Sequence, residues 1–246
     1  NRLVQRWMAA RLIGFAETAE FPGWRTSEVV GYPLRPEIAA LTQETRTAPA
    51  GRAARIVVTG GSRGSAFLNR KAPALLARVA RRGVAIDVLH QTGLELVEPV
   101  ASAYRDAGVS AAVEGFSSEM AAVYARADFM ICAAGAGTLA EVAALGLPSL
   151  VVPISAVADD HQVANARAFA ARTGATWIGE ADWDEGAVAE NLVAMLGAAE
   201  AWELAASGMR AFARLDAAPA VVRVCERLLA GHRRGESTGM VKTVPR

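Results

Sequence analysis

The stretch from Asp128 to Asn165, DFMICAAGAGTLAEVAALGLPSLVVPISAVADDHQVAN, leaves this chain few folds to choose from. It opens with the apolar run 129–132, passes through Ala133-Ala134-Gly135-Ala136-Gly137, and enters residues 138–145, where the apolar spacing is helical. A second apolar run at 150–154 and an Asp-rich turn that opens a further helix at Asp160 complete a βαβα unit. Helix N-termini gathered at the carboxyl ends of parallel strands form a site for anions, so the pattern points to a phosphate-bearing ligand.

The same alternation extends in both directions. Upstream, the sequence predicts strands at 56–59, 84–89 and 109–116. Helices are expected at 65–81, 94–107 and 118–127, with glycine turns at Gly60-Gly61-Ser62-Arg63-Gly64 and His90-Gln91-Thr92-Gly93. Downstream, a strand is expected at 175–178 and helices at 185–196, 198–215 and 219–229. Strands and helices alternating at this spacing imply a doubly wound, Rossmann-like α/β domain with a parallel sheet. Its expected extent is 55–230, after a polar, alanine-rich linker at 42–54 and before a polar, basic and disordered tail at 231–246. Residues 1–14 carry a helical pattern that turns into a short strand at 12–16, and 28–34 read as a strand. The prolines of Gly31-Tyr32-Pro33-Leu34-Arg35-Pro36 then fix an extended turn with Arg35 at its tip. The first residue is Asn1, not Met, and the expectation is a piece of a longer chain.

Composition excludes more than it selects. A hydrophobic content of 52% is ample for a buried core, and 26 basic residues against 25 acidic ones give a net charge of +1, no basis for binding nucleic acid. No apolar run approaches the roughly 18 residues that span a bilayer. Two cysteines, Cys132 and Cys225, make neither a disulfide framework nor a metal set, which suits the cytoplasm. His90 and His161 are not at a metal-ligand spacing, and no cofactor or metal is expected.

Thr138 and Glu141 carry two readings. Thr-x-x-Glu is a capping box, whose side chains satisfy the first N–H groups of a helix. Alternatively the exposed first turn binds a ligand, with Gly135 and Gly137 admitting a phosphate and Glu141 accepting from a ribose diol. Gly135-x-Gly137-x-x-Ala140 also fits a dinucleotide fingerprint with Asp159 roughly 20 residues on, which keeps a dinucleotide-dependent oxidoreductase in view. That fingerprint normally follows the first strand of its sheet, and here three strands come earlier. The turn at Gly60 can offer backbone N–H groups and the Ser62 hydroxyl to a phosphate, but it lacks the Lys-Ser/Thr ending of a P-loop. Arg35 can clamp a phosphate with its planar fork, and Gln162 can address sugar hydroxyls.

Six ordered blocks carry a resemblance: GYPLR at Gly31, GGSRGSAFLN at Gly60, HQTG at His90, FSSEM at Phe116, AGAGTLAE at Ala134 and DDHQVANA at Asp159. Together they are similar to the MurG family of bacterial UDP-N-acetylglucosamine-dependent N-acetylglucosaminyltransferases. The resemblance implies a glycosyltransferase of the GT-B type, with this chain holding the C-terminal, UDP-sugar-binding domain and residues 1–41 a remnant of the acceptor domain and the interdomain turn. It implies transfer to lipid I to form lipid II in peptidoglycan synthesis, by an enzyme peripheral to the cytoplasmic face of the membrane.

Carried over, Glu141 would hold the ribose, and Gly135, Ala136, Gly137 and Thr138 would contact phosphate and sugar. Arg35, Gly61, Ser62 and Gly64 would approach the diphosphate, Phe116 and Ser117 the uracil, and His161 and Gln162 the N-acetylglucosamine. The arginine turn departs from the family's Gly-Asn-Pro-Val-Arg at Tyr32 and Leu34, and His161 stands where a glutamine is usual. The family's catalytic base lies on a glycine-rich loop of the other domain and has no counterpart in this sequence.

Overall fold

The structure is a computed structural model that describes residues 8–16, 27–94, 96–154 and 161–233. The Asp159–Asp160 pair, residues 1–7 and the tail from 234 lie outside the described residues. The chain divides into two compact units, one of residues 1–33 with 214–246 and one of residues 34–213.

In the first unit, β1 (Leu12–Ile13) pairs in parallel with β2 (Glu28–Val29), with Leu12 opposite Glu28. The long C-terminal helix of this unit spans Ala217–Arg233. Arg214 donates from Nη1 to the carbonyl of Val29 at 3.0 Å, and Arg227 pairs with Glu28 at 2.5 Å. The strands expected at 12–16 and 28–34 are therefore two residues each, because Gly31, at φ +87°, turns the chain directly after Val30.

The second unit begins with α1 (Pro36–Leu41) and continues through β3 (Ala54–Thr59), α2 (Ala66–Arg81), β4 (Ile86–Gln91), α3 (Val97–Asp106) and β5 (Ala111–Glu114). Then follow α4 (Met120–Arg126), β6 (Phe129–Cys132), α5 (Ala136–Ala144), β7 (Ser149–Val151), α6 (His161–Thr173) and β8 (Thr176–Trp177). A 3-10 turn at Glu180–Asp182 leads to α7 (Glu185–Gly197) and α8 (Ala199–Phe212), so the helix of the first unit is α9. Among the described residues the strands of this unit are six, all parallel, and lie in the order β5-β4-β3-β6-β7-β8.

Alternation along the strands divides the core. Ile56, Val58, Ile131, Leu150 and Val152 pack in one cluster with Leu68, Leu75, Leu76 and Val79 of α2, Tyr104 of α3 and Val188 and Leu192 of α7. On the opposite face α5, α6 and α8 contact one another and bury Leu139, Phe169, Trp202 and Met209. β6 and β7 are buried on both faces, the reason the sequence there reads as unbroken apolar runs rather than alternating ones.

Two expectations shift. His90 and Gln91, read as a turn, are the last residues of β4, paired with Val58 and Thr59 of β3. Pro36, read as part of an extended turn, is instead the first residue of α1, with Arg35 at the N-cap at φ −63° and ψ 142°. Proline suits that position because the N–H it lacks would have had no helical partner.

Asp128 ties the start of β6 to its neighbours. Its carboxylate accepts from the Arg52 and Arg55 guanidinium groups and from the Arg55 backbone N–H, while its carbonyl accepts from the Trp202 indole at 2.8 Å. Burial on its own would raise this carboxyl, but the hydrogen bonds from Arg52 and Arg55 outweigh it and bring it down to about 2. A carboxylate depressed from its ordinary value near 4 contributes about 2 kcal/mol above that pH, lost as pH falls through the folded value. The stability gap between the wild type and Asp128→Asn, measured by urea unfolding, is therefore expected to shrink as pH is lowered from about 5 to about 2. A gap that stays constant would show that the charge is not its source.

Candidate functional site

Strand order reverses between β3 and β6: β4 and β5 lie to one side, β7 and β8 to the other. A reversal of this kind opens a crevice beyond the carboxyl ends of the two strands, where open α/β sheets bind ligands. Here Thr59 ends β3 and Cys132 ends β6, so the turns at Gly60 and Ala133 face the same crevice. A cleft of about 310 Å³ occupies it, bordered by Arg35, Thr59, Gly61, Ser62, Gln91, Phe116, Ser117, Ser118, Met120, Tyr124, Thr138 and Glu141. A second cleft of about 290 Å³ runs along the middle of β3, β4 and β5 beside α4. Arg55 and Arg126 line it together with Asp87, Glu114 and Glu119, so charges of both signs meet there, and among the described residues no glycine borders it to bring backbone N–H groups to a phosphate.

The walls of the first cleft are built in distinct ways. On one side Gly61, at φ +80°, donates its N–H to the Thr59 hydroxyl at 3.1 Å, and that hydroxyl donates to Gln91 Oε1 at 3.3 Å. The turn is thus anchored to the ends of β3 and β4, with Ser62 at its tip. Ser65 then caps α2 by accepting from the Leu68 N–H at 3.2 Å. Gly64 does not face the cleft; a side-chain carbon there would overlap the Thr92 carbonyl. On the other side Gly135 is the N-cap of α5 and has no side chain with which to cap that helix.

The capping box therefore does not form. Thr138 borders the cleft, and the Glu141 carboxylate, 12% exposed, is held by two other residues. Arg35 donates from Nε to Oε1 at 3.0 Å, and Tyr124 donates its hydroxyl to Oε2 at 2.9 Å. Burial first, and the neighbouring carboxylate second, push the Tyr124 phenol well above its ordinary value, so it remains a neutral donor. Arg35 Nη2 also approaches Oε1 at 3.0 Å, and Nη1 has no partner among the described residues.

Of the residues singled out from the sequence, Arg35, Gly61, Ser62, Phe116, Ser117, Thr138 and Glu141 come together at this cleft. Gly135, Ala136 and Gly137 form the adjoining start of α5. His161 opens α6 and is exposed. Gln162 differs from expectation: its amide oxygen accepts from the backbone N–H groups of Ala134 at 3.2 Å and Ile154 at 3.0 Å. It laces the ends of β6 and β7 together, and only its NH2 end can address a ligand. Thr59, Gln91 and Tyr124 were not foreseen. Tyr124 follows Met120 by four residues on α4, a spacing that announces a packed helix face and not a polar contact. Cys132 is fully buried and its thiol is pushed up to about 12 by that burial, so it is inert at neutral pH. Among the described residues no group of three metal-ligating side chains occurs.

The Gly135-x-Gly137-x-x-Ala140 turn follows β6, the fourth strand of its sheet, which is not where a dinucleotide fingerprint sits. Comparison with known proteins points elsewhere. Residues 55–219 match the glycosyltransferase family 28 C-terminal domain. The UDP-N-acetylglucosamine–N-acetylmuramyl-(pentapeptide) pyrophosphoryl-undecaprenol N-acetylglucosamine transferase of Aromatoleum aromaticum is 38% identical over 237 residues, 95% of this chain and 64% of that protein. The enzyme of the same name from Xanthomonas campestris pv. campestris is 45% identical over 167 residues, 68% of this chain and 38% of the other. The chain thus spans less than two thirds of the length of these relatives. Among solved structures, MurG of Acinetobacter baumannii superposes with a TM-score of 0.67 at 29% identity, over 82% of this chain and 56% of that one.

Proposed function

This chain belongs to glycosyltransferase family 28, and from that premise we propose that its cleft binds UDP-N-acetylglucosamine as donor for transfer to lipid I, giving lipid II. The observation that carries the reading is the meeting, in one cleft, of a carboxylate, a guanidinium and a glycine turn, beside a helix start whose N-cap is a glycine. A nucleoside diphosphate sugar needs this combination: anion contacts for the diphosphate and a carboxylate acceptor for the ribose hydroxyls. In this reading the diphosphate lies between Gly61–Ser62 and the start of α5, the ribose on Glu141, and the uracil by Phe116 and Ser117. The N-acetylglucosamine extends toward His161 and the amide NH2 of Gln162.

The reaction follows from that pose. The acceptor 4-hydroxyl attacks the anomeric carbon from the face opposite the diphosphate, the bond from that carbon to the phosphate oxygen breaks, and UDP departs with inversion. Negative charge grows on the leaving phosphate, where in this reading the N–H groups at the start of α5 and Nη1 of Arg35 receive it. The hydroxyl proton goes to a base that the family resemblance assigns to the acceptor-binding domain. No helix among the described residues is long and apolar enough to cross a membrane. An undecaprenol-linked acceptor is named for the relatives, so the proposal includes work at a membrane surface as a peripheral protein, on the cytoplasmic side.

Calorimetric titration with UDP-N-acetylglucosamine, with UDP-glucose, UDP-N-acetylgalactosamine and NADH as competitors, tests the reading. Saturable binding of the N-acetylglucosamine nucleotide in preference to the other two sugars, and no displacement by NADH, is expected. Binding of NADH in its place would reinstate the oxidoreductase reading and overturn this one.

A further inference from the structure

His90 is 0% exposed, yet it stands one residue from the cleft and takes no part in the chemistry outlined above. Its Nδ1 lies 2.9 Å from the Tyr104 hydroxyl of α3 and its Nε2 lies 3.0 Å from Asn69 Oδ1 in the first turns of α2. Asn69 Nδ2 in turn donates to the Thr92 carbonyl at 2.9 Å. A carbonyl can only accept, so the asparagine nitrogen must face Thr92 and its oxygen must face the histidine. That oxygen also only accepts, which requires a proton on Nε2. Burial holds the ring at about 4, hence neutral, so Nδ1 is bare and accepts from Tyr104. Every hydrogen bond in the series has one direction: Tyr104 to His90, His90 to Asn69, Asn69 to Thr92.

The series ends at the back of the turn that walls the cleft. Gly64, at φ +73°, packs backbone to backbone against the Thr92 carbonyl, and a side-chain carbon on Gly93 would come within 2.6 Å of the Arg63 carbonyl. On its far side the Thr92–Gly93 segment is held to β5 by N–H bonds to the carbonyls of Glu114 and Gly115, each 2.9 Å. Asn69 is thus the side-chain tie that draws α2 onto this segment, and His90 fixes which way Asn69 points. We propose that His90, as its Nε2-protonated tautomer, is a positioning residue that sets the Gly61–Gly64 turn and the start of α2 in the geometry that receives the donor diphosphate. This rests on the assignment of that turn to a nucleoside diphosphate.

The test compares three variants that keep different parts of the hydrogen-bond series, with UDP as the probe. His90→Gln keeps an amide hydrogen where Nε2–H stands; His90→Asn keeps only the Nδ1 side; His90→Leu keeps neither. Loss of the bond from His90 to Asn69 is expected to weaken UDP binding by the folded protein about 3- to 10-fold in the Asn and Leu variants, while the Gln variant, which loses only the bond from Tyr104, stays within about 2-fold of wild type. Amide hydrogen exchange of residues 61–69, without ligand, should rise in the Asn and Leu variants and not in the Gln variant. Histidine-selective nitrogen NMR should show Nε2 protonated and Nδ1 bare. Equal UDP affinity in all three variants once folded, equal exchange, or an Nδ1-protonated ring would each overturn the proposal. Failure of the wild type to bind UDP would instead overturn the donor-site assignment, while exchange and NMR still report on His90.

Discussion

Glu141→Ala is expected to weaken UDP-N-acetylglucosamine binding about 100-fold, the largest loss for any single side chain in the cleft. Two ribose hydroxyls donating to a carboxylate make charge-assisted bonds of about 1.5–3 kcal/mol each, and each 1.4 kcal/mol is tenfold in affinity. Part of that gain is offset, because donor and Arg35 compete for the same Oε1, which Arg35 now occupies at 3.0 Å. Tyr124 does not need to leave: its bond to Oε2 orients the carboxylate and lets the other oxygen face the ribose. Glu141→Gln should therefore cost about tenfold, and Tyr124→Phe, which removes one orienting bond, about three- to fivefold. Calorimetry at a temperature where each variant is folded reads all three. Affinity of Glu141→Ala within threefold of wild type would dissociate the ribose from this residue.

The second large effect is structural. Gly64→Ala is expected to destabilise the protein by about 2–5 kcal/mol, the sum of about 1–2 for a left-handed backbone with a side chain and about 1–3 for overpacking. The overlap is with the Thr92 backbone, which β5 holds in place and which cannot swing aside as a flexible side chain would. Gly83→Ala supplies the comparison. Its φ is +89°, but a side-chain carbon there meets nothing within 4 Å, so it carries the backbone strain alone. Thermal unfolding should separate the two variants by several degrees, with Gly64→Ala the lower. Coincident melting temperatures would mean that the turn and the Thr92 segment are not packed as described. Because the same contact ends the hydrogen-bond series from His90, Gly64→Ala should also weaken UDP binding in the fraction that stays folded.

These cases mark how much was legible in the residues. The order of strands and helices was, because burial on both faces of a parallel sheet leaves unbroken apolar runs that short-range composition reports directly. β6 occupies the same four residues that the apolar run marks, and α2 begins immediately after the serine that caps it. The ends of β4 were less legible. His90 and Gln91 are polar and precede Thr-Gly, a turn signal by composition, whereas in the sheet they are buried and paired with β3. Their burial is tolerated only because Tyr104, Asn69 and Thr59 satisfy them, and those partners come from three other elements.

Thr138 and Glu141 show the same limit. Spacing alone allowed a capping box, a local arrangement, and equally a ligand site. Arg35, 106 residues away, and Tyr124, 17 residues away, take the carboxylate instead. By itself the sequence determined the order and approximate place of the strands, helices and glycine turns between residues 55 and 229, since propensity and periodicity act within a few neighbours. Only the tertiary structure decided that β3 and β6 lie side by side, that their turns share one crevice, and that a guanidinium, a phenol and a carboxylate meet there. Such contacts depend on the order in which strands pair across the sheet, and no local period records it.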